Sequence, residues 1–157
     1  MTKVLFVCLG NICRSPTADG IFRELIKREK LDQKIIVDSA GTGDWHIGKA
    51  PDSRTVAAAK KRGYDLSVLR ARQVITADFD EFDYVLAMDN SNLRDLHSLR
   101  PTHFSGHLGL FLDFGLRKTH REVPDPYYGD HDGFELVLDL VEEAAEGLLA
   151  HIRQRLY

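Results

Sequence analysis

Val4-Leu5-Phe6-Val7-Cys8-Leu9-Gly10-Asn11-Ile12-Cys13-Arg14-Ser15-Pro16-Thr17 begins as an unbroken apolar run and ends as the opening of a helix. A run without alternation suits a strand covered on both faces, the condition found in a parallel sheet. Gly10 and Asn11 tolerate left-handed backbone angles, and a loop bent that way turns successive N–H groups inward as an anion nest. Ser15 suits the cap of the following helix and Pro16 its first turn, which brings the positive end of the helix to the same spot. Arg14 adds a planar fork able to grip two oxygens of a phosphoryl group. That positive field favours Cys8 as thiolate, the form that attacks. The stretch therefore predicts a strand, an anion-cradling loop and a helix, with a nucleophile at the base of the loop. A lone Cys at a strand end is ordinarily a small buried hydrophobe. The Gly, Asn, Ser-Pro, strand and helix around Cys8 make the functional loop the stronger alternative.

Working outward, Ala18, Ile21, Phe22, Leu25 and Ile26 recur at helical spacing, with charged residues on the opposite face. Residues 34–38 form a short buried strand around Ile35-Ile36-Val37, which completes a right-handed crossover unit. A Gly-rich loop over 39–52 carries Trp45 and His46, the latter expected to be solvated. A second helix starts at Asp52 or Ser53 and is ended by Gly63. A third strand is expected over 82–88, followed by a helix capped by Asp89 or Asn90 that bears Leu93, Leu96 and Leu99. A fourth strand spans 107–111. The last helix runs over 133–155 with Val137, Leu140, Val141, Ala144, Leu148 and Ile152 inward, and Asp132 with Glu135 forms a capping box. Alternating strands and helices predict an α/β fold, a three-layer sandwich on a parallel sheet.

The chain of 157 residues suits one domain spanning 1–157. A net charge of −3 argues against bulk nucleic-acid binding. No apolar stretch is long enough to span a bilayer, and the N-terminus lacks a signal-peptide layout. Both cysteines, Cys8 and Cys13, sit in the loop, which points to a reducing, cytoplasmic setting.

A second candidate lies in the long loop over 113–132, at Val123-Pro124-Asp125-Pro126-Tyr127-Tyr128-Gly129. The prolines stiffen the backbone around Asp125. Alone this is a turn. Beside the Cys8 loop, Asp125 is suited to protonating a leaving oxygen. Tyr127 and Tyr128 offer aromatic walls for a phenyl ring, or one of them points into the core.

Cys8-Leu9-Gly10-Asn11-Ile12-Cys13-Arg14-Ser15 and Asp125-Pro126-Tyr127-Tyr128-Gly129 together resemble the low-molecular-weight protein-tyrosine phosphatases, over nearly the whole chain. The resemblance implies a four-stranded parallel sheet in the order 2-1-3-4, with Cys8 at a carboxyl edge near a topological switch point. It implies hydrolysis of phosphotyrosine monoesters on proteins through a cysteinyl-phosphate, with tyrosine-phosphorylated proteins as partners and no nucleic acid or membrane. In that scheme Cys8 attacks phosphorus. The amides from Leu9 to Arg14, through Gly10, Asn11, Ile12 and Cys13, hold the oxygens with the Arg14 fork. Asp125 serves first as acid and then as base. No cofactor or metal is needed, and the protein is expected to be a monomer with weak self-association.

Supporting roles also follow from the resemblance. Ser15 hydrogen-bonds the Cys8 sulfur or Asn11, and Ser39 buttresses Asn11. Trp45 either folds into the core or flanks the substrate ring, and the family favours the wall. Asp89 braces the site or caps its helix, with capping as its main role. Cys13 resembles a cysteine that pairs with the nucleophile under oxidation, or else it is a packing residue. Family members usually carry a His before the segment matched by Ala71-Arg72-Gln73, whereas this chain has Val68-Leu69-Arg70, one residue longer. Arg70 and Arg72 are expected to be solvated or ion-paired. The rivals are an arsenate reductase of the same fold, which relays electrons through further cysteines, and a phospho-ligand binding module, which would need neither nucleophile nor acid.

Overall fold

A computed structural model describes residues 1–115, 120–127 and 131–156, except the side chain of His131. Strand β1 (Thr2–Cys8) pairs in parallel with β2 (Ile35–Gly41) on one side and β3 (Tyr84–Ala87) on the other. Strand β4 (His107–Leu110) extends the sheet beyond β3, so the order is β2-β1-β3-β4, as the family resemblance implies. Val4, Leu5, Phe6 and Val7 are fully buried, because both faces of β1 are covered.

Successive side chains of β1 serve opposite cores. Val4, Phe6 and Cys8 face a core built with α1 (Arg14–Arg28), α2 (Ser53–Lys61) and α5 (His131–Leu156). Phe6 meets Phe22 and Phe111 edge-on, with centroids 5.8 and 4.8 Å apart. Leu5 and Val7 face Phe79, Phe82, Leu96 and Phe104, a smaller core that includes α4 (Asn90–Leu99) and the one-turn α3 (Asp78–Glu81).

Several boundaries depart from the sequence reading. β2 continues to Gly41 because it stays in register with β1 as far as Cys8. β3 is shorter than expected, and Phe111 opens a 3-10 turn (Phe111–Phe114) instead of ending β4. α3 was not anticipated from the sequence. Asp78 accepts from Ile75 N (2.8 Å) just before it. Ser15 does not cap α1: the helix begins at Arg14 and the cap position is Cys13, without a side-chain bond. Its hydroxyl is drawn instead to the sulfur and amide beneath the loop. Asp132 likewise lies inside the first turn of α5, and Glu135 turns to Arg62 at 2.8 Å rather than back to the helix start. The other caps are as read. Asp52 and Asp89 accept from Arg54 N and Asn92 N, and Gly63 (φ 91°) follows the end of α2.

Candidate active site

β1 delivers Cys8 to the carboxyl edge of the sheet, and the chain from there to α1 wraps around its sulfur. Four carbonyls of this loop are engaged by neighbouring main chain. Cys8 O and Leu9 O accept from Thr42 N and Gly43 N (both 2.9 Å), Ile12 O from Asp52 N (2.8 Å), and Cys13 O from Thr17 N (3.2 Å). In a planar trans peptide the N–H points opposite to its carbonyl. The amides of Leu9, Gly10, Cys13 and Arg14 therefore turn to the inner side of the loop. The close approach to β2 needs Gly41, where a Cβ would stand 2.8 Å from Leu9 O.

Asn11 makes the bend, with φ at 58°. Its N–H donates to the Cys8 sulfur at 3.2 Å. Its side-chain amide donates to Ser15 Oγ (2.8 Å) and Ser39 Oγ (3.1 Å), and its Oδ1 accepts from Arg72 N (3.0 Å). Ser15 Oγ is also 3.0 Å from the Cys8 sulfur. Both partners expected for Ser15 are thus engaged, and Ser39 touches Asn11 as expected.

Arg14 is 3 % exposed and pinned on one nitrogen. Its Nη1 donates to Asp89 Oδ2 (2.6 Å) and to Val123 O (3.0 Å), which leaves Nη2 facing Asp125 Oδ2 at 3.7 Å. Burial opposes the charge on Arg14. The Cys8 sulfur, Asp89 and Asp125 outweigh it and hold the guanidinium above the usual arginine pKa. Asp89 divides its two oxygens between the α4 cap and Arg14, so capping and bracing coexist. Asp125 is 38 % exposed, and its Oδ1 accepts from Tyr127 N at 3.0 Å.

Cys8, Arg14 and Asp125 line one cavity of about 380 Å³. The loop and the Ile12 side chain form its floor; Trp45, His46 and Tyr127 form its walls, with Asp125 at the rim. Trp45 stands outside the core, 66 % exposed, with its ring laid over Gly43. His46 is not simply solvated: it is half-buried against Gly10, with its ring 6.4 Å from that of Tyr127. Tyr128 falls outside the described residues.

Residues 3–156 match the family model described as low molecular weight phosphotyrosine protein phosphatase. The chain belongs to that family. It is 44 % identical to the low molecular weight protein-tyrosine-phosphatase YfkJ of Bacillus subtilis, covering 98 % of this chain and 97 % of the relative. A crystal structure of a protein tyrosine phosphatase from Entamoeba histolytica, with Hepes in its active site, superposes at a TM-score of 0.95. That protein is 41 % identical, and the match covers all of both chains. A Drosophila arginine phosphatase superposes at 0.89 with 34 % identity, over 97 % of this chain and 98 % of that one.

The segment over 68–73, where the resemblance implies a His, is tied down by its peptide groups and by Arg72. The peptide nitrogen of Arg72 reaches Asn11, while the Arg72 guanidinium pairs with Asp38 (3.1 Å) and Asp78 (3.0 Å). Arg70 is exposed and turns onto the carbonyls of Ser67 and Leu69, so one arginine is solvated and the other ion-paired, as expected, and neither lines the cavity. Cys13 is buried, and its thiol is pushed up to about 12, by burial first, with Asp52, Cys8 and Asp125 adding to it. Among the described residues no His, Cys, Asp and Glu side chains cluster in a way that would hold a metal. His46, Arg54 and the Arg72 peptide were missed from the sequence. Their positions depend on chain crossings that no local pattern encodes.

Proposed function

We propose that this chain, acting as one domain, hydrolyses phosphotyrosine monoesters on proteins, and small aryl phosphates, in two steps. The observation that carries the proposal is the convergence of the Cys8 sulfur, the Arg14 fork and the Asp125 carboxylate on one cavity. The Cys8 sulfur attacks phosphorus in line with the leaving tyrosine oxygen. Inward amides and Arg14 Nη2 receive the equatorial oxygens, where charge builds. Asp125 gives a proton to the leaving phenoxide and then takes one from the water that hydrolyses the cysteinyl-phosphate. Ser15 and the Asn11 amide, both bonded to the sulfur, stabilise it as thiolate and as leaving group. The rings of Trp45, His46 and Tyr127 and the Ile12 side chain support a flat aryl substrate.

The two cysteines of the sequence both lie in this loop, which leaves no distant thiol for the electron relay of an arsenate reductase. No described helix is long and apolar enough to cross a membrane. We place the protein in the cytoplasm on its two free thiols, and read it as a monomer capable of weak self-association. The test is phosphate release from a phosphotyrosine peptide, a phosphoarginine peptide and a small aryl phosphate, with chelator present, for native protein and Cys8→Ser. Turnover of the aryl esters that vanishes in the variant supports the proposal. Release confined to phosphoarginine, or persisting in Cys8→Ser, refutes it.

A further inference from the structure

The segment that carries Asp125 is held at two places. Upstream, the buried Val123 donates its N–H to Met88 O (2.8 Å), and its carbonyl accepts from Arg14. Downstream, Tyr127 O accepts from Arg54 Nη2 at 2.9 Å. The same Tyr127 gives its N–H to Asp125 Oδ1, so a restraint on the Tyr127 main chain restrains the turn that aims the carboxyl.

Arg54 is itself firmly placed. Its Nε and Nη2 meet the two oxygens of Asp52 at 3.1 and 2.9 Å. Its guanidinium lies over the Phe134 ring (4.9 Å) and the Tyr127 ring (5.6 Å). Asp52 in turn donates its N–H to Ile12 O in the phosphate loop. Arg54 thus couples the phosphate loop, the acid segment and α5, yet its side chain is 47 % exposed and not part of the core. A planar fork with a stacking face can make all these contacts at once, which an ammonium cannot.

We infer that Arg54 is a positioning residue: it holds the Asp125 carboxyl in line with the leaving oxygen without touching the substrate. The inference rests on Asp125 being the general acid. Small displacements of a proton donor are costly when the leaving group is poor and nearly silent when it leaves unaided.

The experiment measures kcat/KM over a series of aryl phosphates whose phenols span a wide range of acidity. The proteins are native, Arg54→Ala, Asp52→Asn, Asp125→Asn and the Arg54→Ala/Asp125→Asn pair. Arg54→Ala is expected to lose about tenfold on the least acidic phenol and less than about twofold on the most acidic. Asp52→Asn should show a weaker version, because Asn keeps the α2 cap and loses the charged half of the fork. In the Asp125→Asn background, Arg54→Ala should add nothing. A loss uniform across the series, or one that multiplies with Asp125→Asn, makes Arg54 merely structural and overturns the inference. If Asp125→Asn shows no leaving-group dependence of its own, the acid assignment falls and this inference with it. If Asp125→Asn shows that dependence and Arg54→Ala does not, the inference alone fails.

Discussion

The Cys8 loop and the Asp125 segment, the proposed phosphate cradle and acid, face each other across one cavity and are held in opposite ways. The loop is interior. Asn11, Arg14 and Ser15 are at most 3 % exposed, and their restraints are short bonds among buried polar atoms. The acid segment is exterior, with Asp125 38 % exposed, and it is strapped down by two arginines that reach it from elsewhere in the fold. A group that must match the charge of a transition state gains from being fixed in place before the substrate arrives. A group that must exchange protons with solvent gains from standing at the rim. The proposed reaction thus calls for a rigid half and an accessible half.

The largest way to break this contrast is at the centre of the rigid half. Asn11→Ala takes from Ser39 and the Arg72 peptide their bond to residue 11, removes one of the Ser15 bonds, and puts a Cβ residue with no compensating bonds at φ 58°. We expect a loss of about 3 kcal/mol in a denaturant titration. A fall in kcat of at least about 100-fold should accompany it, since amides that are no longer held are poor charge stabilisers. The accessible half should respond differently. Asp125→Asn should leave the melting temperature within a few degrees of native, because the carboxylate is exposed. It should lower kcat/KM about 100-fold on a poor leaving group, as measured with phenyl phosphate. Equal melting-temperature losses in the two variants would erase the distinction.

The smallest effect concerns the two thiols. With the Cys13 thiol raised to about 12, a buried sulfur that stays protonated at neutral pH does not react. Peptide mapping after iodoacetamide treatment at pH 7 should find label on Cys8 alone, and Cys8→Ser protein should remain unlabelled. The sign of the stability effect follows by linkage. The folded value lies above the ordinary value of 9.0, so the native state keeps its proton longer than the unfolded chain does. Its contribution is complete below pH 9.0 and is lost as pH rises toward about 12. Cys13→Ala should flatten that alkaline decline in thermal unfolding scans.

The parts legible in the sequence were those whose physics is local. β1, the loop and α1 lie in one stretch, so an apolar run, a left-handed residue and a helix opening were enough to place Cys8, Asn11 and Arg14. The Asp52 and Asp89 caps were legible for the same reason. Ser15 and Asp132 misled because a good capping residue type was taken as a cap. The Cys8 sulfur and Asn11 claimed the Ser15 hydroxyl, and α5 began one residue before Asp132. His46 was hidden because its place depends on the empty face of Gly10, across two loops. Arg54 was hidden because Tyr127 and Phe134, which it meets beyond its near neighbour Asp52, lie more than seventy residues further along the chain.

The left-handed bend at Asn11 has a consequence for protein engineering. Glycine would adopt that φ at least as easily, yet it would abandon the three bonds that the asparagine side chain makes. The Cys-x5-Arg cassette is therefore not portable on its own. A scaffold that receives it by grafting must also supply a hydroxyl where Ser39 stands and a peptide N–H where Arg72 passes, from two further strands of chain.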